Sequence, residues 1–311
     1  MRACSKPLRS LARRRWRHLC SVSGEEYYHQ AARSDADLAN RAAFEEMVLC
    51  DSVTELPVSE DVLIDISRYG VAKLPGCLRE DSLITLHAAC MEELRNALDH
   101  ATGYDDGDDR AHFSAVLGAS SSPDGECSEE QRWDLRLPLH PCRVALRELL
   151  IGPLGTALEA LVFDEAELHE LAVVISAPGA IPQVVHSDAD WSERASIFTA
   201  FVALQDVELD MGPTVFLRGT HTAEAHDAFD AQGLRALTRM DARAATLKAG
   251  DVSLYDRRLL HTGGRNRSDI ARLLFYVTFR RAGADADVDN ANSLRHEYRG
   301  QLSLRNLRGE L

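Results

Sequence analysis

Residues 171–205 read LAVVISAPGAIPQVVHSDADWSERASIFTAFVALQ. Three extended segments lie inside that stretch, at 171–177, 183–188 and 197–205. Each has the length of a strand and little helical periodicity, and Pro178-Gly179 marks a turn between the first two. The pattern continues outward: 133–137 upstream, then 214–217, 245–248, 252–255 and 272–279 downstream. Met211-Gly212-Pro213, Gly250-Asp251 and Gly263-Gly264 supply turn signals between them. A parallel-sheet enzyme would need regular helices between its strands, and none is expected after residue 190. No Gly-rich strand-to-helix loop offers a cradle for nucleotide phosphate.

The N-terminal half reads differently. Helices are expected over 35–50 and over 60–69, the second capped by Ser59, followed by a short strand at 71–74. Leu83, Leu86, Cys90, Leu94 and Leu98 recur at spacings of three and four, one apolar stripe of a helix over 81–100. Residues 104–131 are polar and rich in Asp, Gly and Ser, which predicts an exposed, mobile loop. Two short helices, 142–150 and 154–162, precede the main run of strands. The expected fold is α+β and β-dominated, an antiparallel sandwich or jelly roll with N-terminal flanking helices. The expected divisions are a basic leader over 1–24, a helical extension over 25–61, the main domain over 62–281 and a C-terminal tail over 282–311.

Charge narrows the partners. The 311 residues carry 35 Lys+Arg against 49 Asp+Glu, a net charge of −14, and such a surface repels phosphate backbones. Nucleic acid is therefore not an expected partner, and no apolar run reaches the roughly 18–20 residues of a membrane span. Seven of the basic residues precede Glu25, with no acid among them. A start of that kind resembles an organellar transit peptide, the alternative being an unstructured tail or a start site placed too early. The expected location is intracellular: mitochondrial or another organelle if the leader is a targeting sequence, cytoplasmic otherwise. Seven cysteines without a C-x-x-C pair read as reduced structural thiols, not a zinc ribbon or disulfide scaffold.

His186-Ser187-Asp188 is the first candidate for chemistry. On a strand, positions two apart share a face, so the imidazole and carboxylate converge. Alone the triplet is weak, since 12 His and 49 acids in 311 residues give about two such triplets by chance. His261 lies 75 residues downstream, beside another expected strand. Two histidines and one carboxylate form the facial set that holds non-haem Fe(II) with positions left open. Either His taken singly is more often a hydrogen-bonded structural residue. Arg272 opens the apolar strand 272–279, and its planar fork matches a carboxylate. That partner is either an anionic co-substrate or an Asp or Glu of this acidic chain.

Residues 62–281 resemble the phytanoyl-CoA dioxygenase family of Fe(II)- and 2-oxoglutarate-dependent oxygenases. The resemblance rests on Gln183-Val-Val-His186-Ser-Asp188, Met211-Gly-Pro-Thr-Val-Phe-Leu-Arg-Gly-Thr-His221, Gly250-Asp-Val-Ser-Leu-Tyr255, His261-Thr-Gly-Gly-Arg-Asn266 and Arg272. Tyr69-Gly-Val-Ala-Lys-Leu-Pro75 and Trp133-Asp-Leu-Arg-Leu-Pro138 add to it upstream. It implies a double-stranded β-helix core, with His186, Asp188 and His261 as iron ligands and Arg272 on the far carboxylate of 2-oxoglutarate. Phe201 would lie beside the co-substrate and Gln183 in its pocket. Arg218 stands where the family's turn usually has Pro, and His221 and His226 are expected to be structural or exposed. No second cation for the co-substrate is identified in the N-terminal half.

The implied reaction hydroxylates a small organic or acyl substrate with Fe(II), 2-oxoglutarate and O2, releasing succinate and CO2. An Asp at position 188 favours hydroxylation over halogenation, because related halogenases have a small residue there. Two rivals stay open at this stage. One is a binding jelly roll with a vestigial metal site, and the other a zinc hydrolase on the same ligands, which leaves Arg272 without a task. Nothing in the sequence names the substrate or sets the oligomeric state.

Overall fold

A computed structural model describes residues 53–100, 113–115, 132–180, 182–183, 185–189, 191–237, 240–284 and 293–309. The leader, the expected helix over 35–50 and most of the expected loop over 104–131 lie outside these residues.

Two sheets form the core. The larger has seven strands in the order β2-β9-β6-β11-β5-β4-β3. These are β2 (Val71–Leu74), β3 (Phe113–Ala115), β4 (Arg132–Arg136), β5 (Glu167–Ser176), β6 (Ile197–Ala203), β9 (Val252–Asp256) and β11 (Arg272–Arg280). The smaller, β1-β8-β7-β10, comprises β1 (Thr54–Glu55), β7 (Thr214–Arg218), β8 (Asp241–Ala244) and β10 (His261–Gly263). All named pairings are antiparallel except β1 with β8. The two sheets make a jelly roll, as the sequence leads one to expect.

Strand β11 shows how the alternation works. Leu273, Phe275, Val277 and Phe279 join the core that also contains residues of helices α1 (Val62–Tyr69), α2 (Glu80–His100), α3 (Leu139–Ile151) and α4 (Pro153–Val162). Arg272, Leu274, Tyr276 and Thr278 point the other way, and Leu274 packs in a second core with Phe216 of the smaller sheet. Neighbouring strands repeat this: Phe198, Ala200 and Val202 of β6 face the helices, while Ala203 joins the inter-sheet core and Phe201 packs against it. The polar residues of the large sheet's inner face are thus placed opposite the smaller sheet, and that is where the site forms.

Several expectations need correction. Asp61, not Ser59, caps α1, accepting from the Leu63 and Ile64 N–H groups at 3.0 Å each; the Ser59 hydroxyl instead accepts from Lys73 N. Among the described residues of the segment 183–188 no strand forms, and only His186 makes a bridge, to His261. The strand expected over 245–248 lies at Asp241–Ala244, with Leu247 left in one isolated bridge to Val207. Helix α5 (Ala223–Gln232), capped by Thr222, occupies a region where no helix is expected. Phe113–Ala115, inside the expected loop, pairs with β4. Gly263 is a strand residue, not part of a turn.

The C-terminal segment is packed. Leu294, Leu304 and Leu307 lie in the main core, the last two in helix α6 (Leu304–Gly309). Backbone bonds from Leu168 N to Leu302 O and from Leu304 N to Ala166 O, each 2.8 Å, tie it to β5 and the loop before it. Cys77, Cys90 and Cys142 are free and buried, consistent with reduced thiols. No helix among the described residues is long and apolar enough to cross a membrane.

Candidate metal centre and the pocket beside it

His261 opens β10, and its backbone exchanges both hydrogen bonds with His186, at 2.8 and 3.0 Å. That single bridge sets the two imidazoles side by side, with ring centroids 4.5 Å apart. Two residues on, Asp188 N donates to Arg257 O at 3.0 Å, which holds the carboxylate on the same side. One ligand atom from each of His186, Asp188 and His261 lies within 4.8 Å of the others. His186 Nε2 is 3.5 Å from Asp188 Oδ1, and His261 Nε2 is 3.6 Å from Asp188 Oδ2. Atoms on adjacent corners of a metal with bonds of about 2.1 Å stand about 3 Å apart, so the donors fit one ion.

The surroundings prepare each donor. His261 Nδ1–H donates to Leu259 O at 3.0 Å, which leaves the Nε2 lone pair free. Tyr255 O–H donates to Asp188 Oδ2 at 2.6 Å. Burial pushes the His261 imidazole down to about 4 against the attraction of Asp188, so it is neutral at physiological pH. For Asp188, burial works to raise the carboxyl. The His261 imidazolium that forms at acid pH, the His186 hydrogen bond and the Arg257 guanidinium outweigh it and hold the group well below the usual carboxylate range. A neutral imidazole and an ionised carboxylate suit a divalent cation. The side chains of His186 and Asp188 keep 23% and 22% of their surface exposed, against 5% for His261, so the set opens to one side.

Arg272 lies on the inner face of the large sheet, only 1% exposed. Its Nη1 donates to Gly212 O and its Nη2 to Ser176 Oγ at 3.1 Å, while Nε is buried without a partner. Burial lowers its ionisation to about 10. Among the described residues no carboxylate pairs with it. A second buried guanidinium, Arg132 of β4, stands close enough for its charge to be felt. Burial, then the charge of Arg272, push the ionisation of Arg132 well down. Arg132 donates to Gln183 Oε1 at 3.1 Å and to Gly264 O at 2.8 Å.

Gly263 links this cation pair to the histidines. A Cβ there would stand 2.0 Å from Arg132 Nη1 and 2.3 Å from Gln183 Oε1, so the guanidinium and amide occupy the space a side chain would fill. Gly263 and His261 lie two apart on β10 and share a face, which separates them by about 7 Å. Phe201 stacks on Tyr255 with centroids 5.4 Å apart and meets Tyr276 edge-on at 5.6 Å. The six residues singled out from sequence therefore gather along the inter-sheet space.

Arg132, Tyr255 and Arg257 escape the sequence reading. One signal was available: Arg132, Asp134 and Arg136 alternate on a strand, a charged stripe that has to face something polar. His221 and His226 are structural as expected, their Nε2 atoms bonded to Ser67 O at 3.2 Å and Arg258 O at 2.7 Å.

The family model for phytanoyl-CoA dioxygenase (PhyH) matches residues 66–274 of the 311. The chain belongs to the phytanoyl-CoA dioxygenase family. Fe(II) and 2-oxoglutarate are the cofactor and co-substrate of this family of non-haem oxygenases, and the His186, Asp188 and His261 donors suit that metal. The fold is similar to that of the non-haem α-ketoglutarate-dependent carbocyclase SnoK from nogalamycin biosynthesis. That match has a TM-score of 0.52 and 20% identity over 72% of this chain and 85% of that one. It is similar also to the epimerase SnoN of the same biosynthesis, with a TM-score of 0.53 and 19% identity over 78% and 95% of the two chains. No curated protein sequence matches the chain.

Proposed function

We propose that His186, Asp188 and His261 hold one Fe(II) and that Arg272, with Arg132 beside it, receives the distal carboxylate of 2-oxoglutarate. The enzyme then hydroxylates a small organic or acyl substrate. The observation that carries this reading is the buried Arg272 with an unpartnered Nε, no carboxylate partner among the described residues and a second buried guanidinium next to it. Two such cations raise each other's cost, and a dianionic ligand that chelates iron at one end repays it at the other. The span of about 7 Å between His261 and the space over Gly263 suits a five-carbon dicarboxylate.

Bound iron(II) would supply dioxygen activation, coupling oxidative decarboxylation of 2-oxoglutarate to succinate and CO2 with transfer of one oxygen atom to a substrate C–H bond. The side chains provide the setting. Tyr255 and the Leu259 carbonyl orient two donors, Arg272 and Arg132 orient the co-substrate, and Phe201 with Tyr276 and Leu274 excludes water from its flank. Gln183 keeps Arg132 in place. The binding-module and zinc-hydrolase readings give the buried Arg272 no ligand.

Incubation with Fe(II), 2-oxoglutarate and O2 should release succinate, and Zn(II) in place of iron should abolish it. A substrate that gains one oxygen atom establishes hydroxylation. Isomerised or ring-closed product in its place replaces hydroxylation by another outcome of the same chemistry. No succinate with any divalent metal refutes the reading.

A further inference from the structure

Asp188 lies on a segment without a sheet ladder, so its position depends on something other than strand pairing. One residue holds both sides of its peptide backbone. Arg257 O accepts from Asp188 N at 3.0 Å and from Ala189 N at 3.2 Å, and Arg257 Nη2 donates to Asp188 O at 3.1 Å. The guanidinium is 4% exposed and its Nη1 stands 3.3 Å from Glu170 Oε2, itself 6% exposed. Glu170 is fixed in turn, accepting from Thr278 Oγ1 at 2.5 Å and from Ser293 N at 3.4 Å. A continuous path of buried polar contacts therefore runs from β5 and β11 to the backbone of Asp188.

We propose that Arg257 and Glu170 are a positioning pair, which sets the Asp188 carboxylate for metal binding by clamping its backbone from the large sheet. Both act through the Asp188 backbone in this reading, and the inference rests on the metal reading of His186, Asp188 and His261 given above. Its sign separates it from a charge effect. A guanidinium near a dication repels it, so by charge alone removal of Arg257 would tighten metal binding, the more so with Glu170 left behind. Loss of the clamp acts the other way, because a ligand no longer held in place must be ordered at the moment of binding.

The test is an anaerobic titration with Co(II), read by visible absorption, beside thermal unfolding of the metal-free proteins. Arg257→Met should raise the Co(II) dissociation constant by roughly tenfold or more, the effect expected of an outer-shell partner. Arg257→Lys should fall between, since an ammonium can serve one of the two acceptors but not both with a planar fork. Glu170→Gln keeps the shape and hydrogen-bonding capacity of the side chain while removing the charge that anchors Arg257. It should also weaken Co(II), but loss of its charge alone acts in the same direction, so Arg257→Lys, which keeps the charge and loses the fork, carries the test if Arg257→Met fails to fold. Lowered melting temperature with unchanged Co(II) affinity in these variants would overturn the proposal and leave the pair a purely structural ion pair. Tighter Co(II) binding by Arg257→Met would overturn it in favour of the charge effect. A wild-type protein that binds no Co(II) would instead refute the metal centre itself.

Discussion

A buried arginine without an acid is costly to keep, and Arg272, 1% exposed, has no carboxylate partner among the described residues. That cost gives its substitution an unusual pair of effects. Arg272→Leu removes an uncompensated buried charge, so the free protein should melt no lower than the wild type and can melt higher. The same change leaves a co-substrate carboxylate facing Arg132 alone, which should cost about 2–5 kcal/mol of 2-oxoglutarate binding. The expected result is at least a tenfold weaker 2-oxoglutarate affinity by calorimetry with Co(II) affinity near normal; Arg272→Lys should recover part of it. A Leu variant with a lowered melting temperature and normal co-substrate affinity would make Arg272 structural. At this scale the sequence is informative where chemistry restricts the residue type: two His and one acid near expected strands, and an Arg opening an apolar strand. Arg132 and Arg257 are harder to read for the opposite reason. Charged residues lie near both in the chain, the alternating stripe of Arg132, Asp134 and Arg136 is the one local signal, and only contacts far away in sequence show what each faces.

Elements were legible in proportion to their burial on one face. Strand β11, whose alternate residues separate two cores, and helix α2, with its apolar stripe, announce themselves. Helix α5 buries only Ala225 among its residues, so it writes no stripe, and its Thr222 cap is its main local signal. Segment 183–188 is apolar enough for a strand, but its partner β10 is three residues long and a ladder does not develop. On β4 the inward stripe has a measurable consequence. Asp134 accepts from Tyr276 O–H at 2.9 Å and from Ser293 Oγ. Burial pushes its carboxyl up to about 6; the Ser293 and Tyr276 hydrogen bonds counter this and the charge of Glu170 adds to it. A folded-state value above the unfolded one, near 4, means the native protein holds this proton more tightly. Its contribution to stability is present below pH 4 and is lost as pH rises to about 6, roughly 2–3 kcal/mol in all. Asp134→Asn should remove that segment of the pH dependence in urea unfolding measured from pH 4 to 7. Parallel wild-type and variant curves across that window would show that Asp134 titrates normally.

For the molecule as a whole, the question is whether 293–309 is an appendage or part of the domain. Leu294, Leu304 and Leu307 are 1%, 0% and 0% exposed within the core that also contains Leu146, Leu150 and Leu158. Polar contacts lock the segment outside that core: Arg308 Nε to Leu150 O at 2.8 Å, Tyr298 O–H accepting from Leu139 N at 3.1 Å, and Arg295 with Glu93. From sequence the region reads as a tail because its buried leucines are few and widely spaced, and their partners are far away in the chain. We propose that it folds as one unit with the jelly roll. Leu307→Ala deletes a fully buried side chain and should cost about 2–5 kcal/mol, a substantial part of the roughly 5–15 kcal/mol that stabilises a typical domain. In a protein of this size that lowers the melting temperature by roughly 3–8 °C. The decisive feature is how the loss is distributed. If the segment belongs to the domain, Leu307→Ala shifts one cooperative transition, and fluorescence and circular dichroism midpoints move together. An appendage would melt separately, leaving the main transition where the wild type has it. Addition of Co(II) then gives an independent check, since a ligand that binds only the folded state raises the midpoint of whatever unfolds with its site. A Co(II)-induced rise that also protects residues 293–309 from hydrogen exchange would join the C-terminal helix to the metal centre in one folding unit; protection confined to the sheets would separate them.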